Sequence, residues 1–358
     1  MNQQKADPGT KGSAEGGGGG GRRPVIVTGG AGFVGSNLIA GLLKRKPNRK
    51  IIAVDNFRSG SFANIVEACA REGVGTFTGE VITADAGNLD WESIVEQAAP
   101  GAIYHLAAIT DTTVMDEAEM IRVNAEEFRE LLHVCADSRV PLVYASSAAT
   151  YGTPPQARDR VPFPEPAAGK PNNVYGFSKW LMENMHRDLI AEYTKHEGRA
   201  PNIVGLRYFN VFGPGESRKG KMASMAYQLA TQMLAGKRPR LFADGSQARD
   251  QVSVSDVVDC TINAARDGVT PGVYNLGSGQ TTSFADIAAA VRAGLGLAES
   301  DLPTDYFEMP ADIRAFYQDY TCADMSATRK AIGWEPKHDP RTAIRQYAAY
   351  LKQQHAPA

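Results

Sequence analysis

The chain has 358 residues, 43% hydrophobic and 22% charged, with a formal net charge of −2. That length can fill a large core, and the balanced charge gives no electrostatic reason to expect nucleic acid or an anionic membrane as partner. No stretch reaches the roughly 18 apolar residues needed to cross a bilayer, and the four cysteines (Cys69, Cys135, Cys260, Cys322) lie far apart without a CxxC pair, which points to free thiols in the cytoplasm rather than zinc or disulfides.

Residues 1–23 are polar and contain six consecutive glycines, Gly16 to Gly21. They lack the apolar centre of a secretory signal. They are expected to form a disordered tail, because so little apolar surface cannot offset the entropy of ordering. From Pro24 the pattern changes. VIVTGG is a β-branched run ending in glycine, LIAGLLKR follows at helical spacing, and IIAVD reads as a second strand. AIYHLAA and PLVYASS repeat the theme after apolar helical stretches around Trp91–Ala98 and Ile121–Cys135, and NIVGLRYFNVFG reads as one further strand. Apolar strands alternating with helices predict an α/β fold: a Rossmann-type, doubly wound parallel sheet covered on both faces. After about Gly213 the strands shorten (RPRLF, GVYNLGSG) and helices such as FADIAAAVRAGLG and RTAIRQYAAYLKQQ follow glycine and proline breaks. The expected division is a tail at 1–23, a cofactor domain at 24–212 and a smaller mixed α/β substrate lobe at 213–358. No period of 20–50 residues marks a solenoid.

VIVTGGAGFVGSN places Gly29, Gly32 and Gly35 directly after a strand and at the start of a helix. There each glycine has its own physical role, with a tight turn at Gly29, close approach of a pyrophosphate at Gly32, and close helix–sheet packing at Gly35. The helix N-terminus adds free N–H groups and a positive dipole end. Asp55 ends the next strand twenty residues past Gly35, where an acid can accept from ribose hydroxyls. Tyr175 and Lys179, in NVYGFSKW, share one helical face, so a nearby ammonium is expected to lower the phenol pKa and make Tyr175 an acid/base. Ser146 and Ser147 end a strand on the carboxyl edge, where open parallel sheets bind ligands. A strand-end serine can instead cap the following turn, a role that suits Ser146 better than Ser147.

Together the glycine motif, HLAA (His105–Ala108), ASSAATYG and YxxxK resemble the extended short-chain dehydrogenase/reductase superfamily, in its nucleotide-sugar epimerase and dehydratase branch. The resemblance runs from about Pro24 to Leu351. Within the branch it is nearest to the ADP-glyceromanno-heptose 6-epimerases, through YASSAATYG, NVYGFSKW, RYFNVFGPGESRKGKMASMAYQLATQM and FYQDYTCADM. The resemblance implies that Gly29, Gly32, Phe33, Val34 and Gly35 line the cofactor phosphates. It places Asp55 and Asn56 on the adenosine ribose, Asp85 at the adenine, and Asn124 behind the cofactor-side loop. Ala107, Thr110 and Ser147 would lie near the nicotinamide and sugar. Tyr175 and Lys179 form the catalytic pair, with Lys179 also on the cofactor. Asn210, Lys219, Arg249 and Tyr317 would face a sugar-nucleotide substrate, with Phe242 near its base.

Inverting a carbinol carbon with no acidic neighbour calls for oxidation to a flat carbonyl and re-reduction from the other face, with the nicotinamide regenerated. Two faces imply two acid/bases, by resemblance Tyr175 and Lys219. Lys219 needs a depressed pKa, from burial or from a cation such as Arg218. Its plain reading is a solvated loop charge, as that of Arg249 is a surface ion pair and that of His105 a packing residue. Three features depart from the heptose epimerase pattern. LAAIT (Leu106 to Thr110) replaces E-G-A-C-S, and HLAA is shared with UDP-sugar 4-epimerases. Phe62 stands where a lysine would meet an NADP 2′-phosphate. The segment PPQARDRVPFPEPAAGKP is long. Asp55 disfavours a 2′-phosphate and Arg58 would welcome one, so NAD is favoured over NADP. A UDP-sugar 4-epimerase is the alternative, and a 4,6-dehydratase fits less well because Ser147, Ala148 and Ala149 replace its Thr-Asp-Glu. A catalytically silent cofactor-binding scaffold is opposed by intact Ser147, Tyr175 and Lys179. A homo-oligomer, pairing through helices near YxxxK, is expected.

Overall fold

In the computed structural model, which describes residues 23–111, 116–153, 160–309 and 318–355, strand β1 (Val25–Thr28) is buried at every position. It leads through the glycine turn into α1 (Phe33–Arg45), then β2 (Ile51–Asp55), α2 (Phe62–Glu72) and β3 (Glu80–Thr83). The second half of the sheet is built from α3 (Trp91–Ala98), β4 (Ala102–His105), α4 (Glu117–Ile121), α5 (Phe128–Asp137), β5 (Leu142–Ser147), α6 (Val174–Glu197) and β6 (Ile203–Tyr208). The chain continues with β7 (Asn210–Phe212), α7 (Met225–Leu234), β8 (Arg240–Phe242), β9 (Ala248–Ser253) and α8 (Val254–Ala264). It ends with β10 (Gly272–Leu276), β11 (Thr281–Ser283), α9 (Phe284–Leu295), β12 (Asp305–Phe307), α10 (Ser326–Ile332) and α11 (Pro340–His355).

Seven strands form one parallel sheet in the order β10-β6-β5-β4-β1-β2-β3. Alternate side chains leave on opposite faces. Val25, Val27, Ala53, Tyr104, Val143 and Val204 enter one core with α1, α2 and α8. Ile26, Val54, Ile103, Leu142, Tyr144 and Ile203 enter the other with α3, α5 and α6. Helices on both faces explain why the strands read as unbroken apolar runs. A third core joins Phe212, Leu229, Leu241, Phe284 and Ile344 in the smaller lobe, beside the short sheets β11-β9-β7 and β12-β8.

Two strands differ from the linear reading. NIVGLRYFNVFG is not one strand: buried Phe209 donates its N–H to Leu276 O at 3.0 Å, and the chain turns off to pair β7 with β9. GVYNLGSG supplies β10, which covers the edge of β6 and so adds to the large sheet from beyond residue 212. Unpaired N–H and C=O groups on that edge would otherwise need another partner. The residues 1–22 of the expected tail and 154–159 of the proline-rich segment lie outside the described residues.

Behind β5 and β6 sits a buried ion pair. Arg207 Nε and Nη2 donate to Glu183 Oε1 (2.8 Å) and Oε2 (2.7 Å), and both side chains are fully buried. Ser146 Oγ donates to the same carboxylate at 2.5 Å, and Arg207 Nη1 donates to Tyr151 Oη at 2.8 Å. Tyr151 Oη in turn donates to Asn275 Oδ1 on β10 at 2.7 Å. Ser146 therefore serves this network, which ties α6 to three strands. Removing one partner of such a pair leaves a buried charge unmet. Glu183→Ala is expected to lower stability by about 3–5 kcal/mol, read from urea unfolding midpoints and slopes; a loss below about 1 kcal/mol, the range of exposed pairs, would show that the pair is not structural.

Candidate active site

At the carboxyl ends of the central strands, backbone comes close to backbone. Gly29 has φ +65°, and a Cβ there would lie 2.8 Å from Ala107 N; a Cβ on Gly35 would lie 2.0 Å from Gly29 O. These spacings admit glycine alone. Helices α2, α3, α4, α6, α7, α8 and α9 each begin with a Ser, Asp or Asn side chain accepting a first-turn N–H. Helix α1 starts at Gly32 with no side-chain cap and no acidic residue in its first turn. Its leading N–H groups therefore receive no side-chain acceptor from the cap residue, an arrangement suited to an anion.

The rim beside it is built by Asp55. This buried carboxylate accepts from Ala31 N (2.9 Å) through Oδ2 and from Phe57 N (2.8 Å) through Oδ1, which holds Phe57 at an unfavourable φ of +56°. Asn56 Nδ2 donates to exposed Asp85, and Arg58 is paired with Glu119 at 2.9 Å. At the end of β4, Thr28 Oγ1 accepts from Leu106 N and Ala107 N, both at 3.2 Å, and contacts His105 Nδ1 at 3.0 Å. Asn124 clamps the next residues: its Oδ1 accepts from Ile109 N (2.7 Å) and its Nδ2 donates to Ile109 O (2.9 Å) and to Ser178 Oγ (3.1 Å). Burial lowers His105 to about 3, with Lys179 adding in the same direction.

Ser147, Tyr175 and Lys179 come together where β5 ends. Asn173 caps α6 by accepting from Gly176 N at 2.8 Å, which sets the turn carrying Tyr175. Tyr175 hydrogen-bonds Ser147, whose Oγ also accepts from Ala149 N at 3.1 Å. Lys179 is 2% exposed and donates from Nζ to Ala145 O at 3.0 Å. Its ammonium lies 6.0 Å from the Tyr175 ring centroid. Burial lowers Lys179 to about 8. The phenol does not follow the expected direction: burial raises the Tyr175 pKa, and the hydrogen bond to Ser147 only partly opposes it. The physical reason is the exclusion of water from the phenol, which outweighs the field of an ammonium held on Ala145 O and 6.0 Å from the ring centroid.

Lys219 belongs to the 3-10 turn Ser217–Met222 and sits half-buried with Nζ 5.2 Å from the centroid of Phe33, the first residue of α1. Burial lowers its pKa and Glu216 opposes that. Arg218 is not the cause: it turns away to Asn64 Oδ1 (2.6 Å) and Glu67 (2.9 Å) on α2.

Residues 25–277 match the family described as NAD dependent epimerase/dehydratase. The chain belongs to that family. Among solved structures, the Helicobacter pylori ADP-L-glycero-D-manno-heptose-6-epimerase is 32% identical, with a TM-score of 0.76 over 92% of this chain and 96% of that one. A UDP-N-acetylglucosamine 4-epimerase from Methanobrevibacter ruminantium is 24% identical, with a TM-score of 0.76 over 93% and 99%. The UDP-glucose 4-epimerase of Thermotoga maritima is 24% identical, with a TM-score of 0.75 over 92% and 99%.

An NAD-dependent enzyme of this family needs a cradle for a dinucleotide, and the residues fit one. The uncapped α1 terminus and the side-chain-free turn at Gly29, Gly32 and Gly35, with Phe33 and Val34 following, suit the pyrophosphate. Each Asp55 oxygen carries one backbone bond and retains a lone pair for a ribose hydroxyl. Ala107 stands against Gly29, and Lys179 keeps N–H capacity beyond its bond to Ala145. Among the described residues no His, Cys, Asp or Glu group is arranged to hold a metal, and no helix is long and apolar enough to cross a membrane.

The lobe residues are placed less closely. Asn210 starts β7 opposite Gln251 and accepts from Thr321 Oγ1 at 3.4 Å. Arg249 lies on β9 with its guanidinium 5.7 Å from the Phe284 ring, and Phe242 packs on Phe307 at 4.8 Å. Thr110 is exposed, and Tyr317 lies outside the described residues. Sequence reasoning missed Thr28, whose hydroxyl shapes the β4 loop, and Glu216, whose only signal was an acid three residues before Lys219.

Two outcomes follow from this geometry. Gly29→Ala forces a Cβ onto Ala107 N in a left-handed backbone and is expected to weaken NAD binding about tenfold or more by calorimetry, from about 1–3 kcal/mol of strain. His105 and His186 are both lowered to about 3 from 6.5, so each is neutral when folded and binds a proton more readily when unfolded. Their stabilising effect is complete above pH 6.5 and is withdrawn as pH falls toward 3. Stability measured by urea unfolding should therefore decline from about pH 6.5 to pH 5, before most carboxylates titrate, and His186→Asn should make the decline shallower.

Proposed function

We propose that this enzyme is a sugar-nucleotide epimerase that inverts a carbinol carbon, acting on ADP-glyceromanno-heptose at carbon 6. The observation that carries the reading is the convergence of Ser147, Tyr175 and Lys179 beside the glycine cradle, with a second, half-buried lysine, Lys219, over the first residue of α1. The 32% identity to a heptose 6-epimerase, against 24% to the two UDP-sugar epimerases, supports the choice of sugar.

Bound NAD supplies the acceptor and donor for the hydrogen that leaves and returns, and a positive ring charge that favours phenolate at Tyr175. Ser147 Oγ orients the substrate hydroxyl toward Tyr175 Oη, which takes its proton. Lys179 holds the cofactor and fixes the local charge from its buried seat. Lys219 returns a proton to the oxygen when the flat carbonyl is reduced on its other face; in the reverse direction the two exchange roles. Asn210, Phe242, Arg249, Thr110 and Tyr317 bind the substrate, Arg249 by two parallel bonds to the diphosphate. In this reading residues 24–212 hold the cofactor, joined by β10, and the rest of 213–358 forms the substrate lobe. The four cysteines are buried as free thiols, in keeping with a cytoplasmic enzyme. Phe177, 42% exposed on α6, supports pairing of two copies through that helix.

A UDP-sugar 4-epimerase is the second reading, favoured by HLAA at His105–Ala108. Purified protein incubated with ADP-D-glycero-D-manno-heptose, UDP-glucose and UDP-galactose, followed by NMR, decides: turnover of heptose alone supports the first and of UDP-hexose alone the second. Tyr175→Phe is expected to lower kcat by about 10²-fold or more. Full heptose turnover by Lys219→Met would remove Lys219 from the chemistry.

A further inference from the structure

We propose that Glu216 is the positioning residue for Lys219: a buried carboxylate that closes the 213–224 loop around that lysine and supplies the counter-charge for its ammonium. The inference rests on the reading of Lys219 as the second acid/base. Glu216 is fully buried. Its Oε1 accepts from Gly213 N (3.2 Å) and Ser224 Oγ (2.8 Å), and its Oε2 from Ser224 N (2.7 Å). One side chain thus joins both ends of the loop that displays Lys219. The lysine's own N–H is bonded to Glu216 O at 3.0 Å, and Asn37 Nδ2 on α1 donates to Pro214 O at 2.9 Å, which docks the loop beside the glycine turn.

The donor set favours the ionised form of Glu216. Every contact brings an N–H or O–H to the carboxylate, and Tyr347 of α11 adds a further hydrogen bond. Burial raises the Glu216 pKa, and these donors together with the Lys219 charge oppose that rise, because a neutral acid would have to place its own proton among them. The ionisable groups facing it are Lys219 on the same turn, Tyr227 from α7 and Tyr347 from α11. Both tyrosines are raised, so neither brings a charge near neutrality. Arg218 is drawn off to Glu67. Lys219 and Glu216 each act on the other's charge. Burial pulls the lysine toward the neutral amine, while Glu216 and the Phe33 ring favour the ammonium. A group that must gain and lose a proton in alternate directions needs such opposed influences.

The test is the pH dependence of kcat with ADP-D-glycero-D-manno-heptose in both directions, for the intact enzyme, Glu216→Gln, Glu216→Asp and Ser224→Ala. The limb reporting Lys219 is recognised by its amine-type temperature dependence. In Glu216→Gln it is expected to move to lower pH by roughly one unit or more. Glu216→Asp, with the charge drawn back one carbon, should move it less in the same sense. Ser224→Ala removes a donor but keeps the charge, and should lower stability while leaving the limb in place. If Glu216→Gln does not fold, Glu216→Asp decides alone. Activity lost evenly across pH, with unshifted limbs, would overturn the proposal and leave Glu216 a structural staple. Lys219→Met separates the two ideas. Full turnover there removes the acid/base reading of Lys219 itself. Loss of turnover in Lys219→Met with an unshifted Glu216→Gln profile removes only the role of Glu216.

Discussion

A helix that starts without a cap, pressed onto a turn without side chains, is the constraint on which the site depends. Gly35 packs where a Cβ would meet Gly29 O, and Gly29 packs where a Cβ would meet the chain leaving β4. This double contact brings the N-terminus of α1 level with the ends of β1 and β4. The free N–H groups, the Asp55 carboxylate and the loop clamped by Thr28 and Asn124 then share one edge. Seven other helices satisfy their first turn with a side chain of their own, whereas α1 starts bare, as α5 and α10 also do, and of these it is α1 that starts at the glycine turn beside Asp55.

Charge is buried on both sides of this edge, for different ends. Glu183 and Arg207 neutralise each other with all strong donors met, and they lock α6 against β5 and β6. Lys179, one turn before Glu183, rests on the carbonyl of Ala145 rather than on a carboxylate, and it is correspondingly easier to deprotonate. The rigid pair fixes the helix, and the unbalanced lysine supplies the field. A helix held at one turn by a strong ion pair can present a poorly compensated charge at the next without shifting.

The two lysines of the proposed reaction are set by different means. Lys179 stands on a long helix whose register also determines Tyr175. Lys219 stands on an irregular loop, whose glycines at 213, 215 and 220 adopt positive φ and whose ends are joined by one carboxylate. Loops positioned by a rigid scaffold are where specificity is varied without disturbing the fold. The proposed choice of sugar therefore rests on the lobe and the loop, not on the sheet.

Local pattern was enough for the doubly wound sheet, the helix at Trp91–Ala98, the glycine cradle with Asp55, and the shared face of Tyr175 and Lys179. Each of these depends on periods of two or 3.6 residues, or on a backbone conformation that one residue type permits. It was not enough for the turn at Phe209, the return of β10 to the large sheet, or the separate fates of Ser146 and Ser147. Alternation shows that those serines face apart, but only the position of Glu183 says which one faces the network. Nor could it give the raised pKa of Tyr175 or the departure of Arg218 toward Glu67. Pairing between distant segments and the burial of charge are properties of the assembled molecule, because the partner that satisfies a group, or the solvent that is excluded from it, is set by chain that lies far away in sequence.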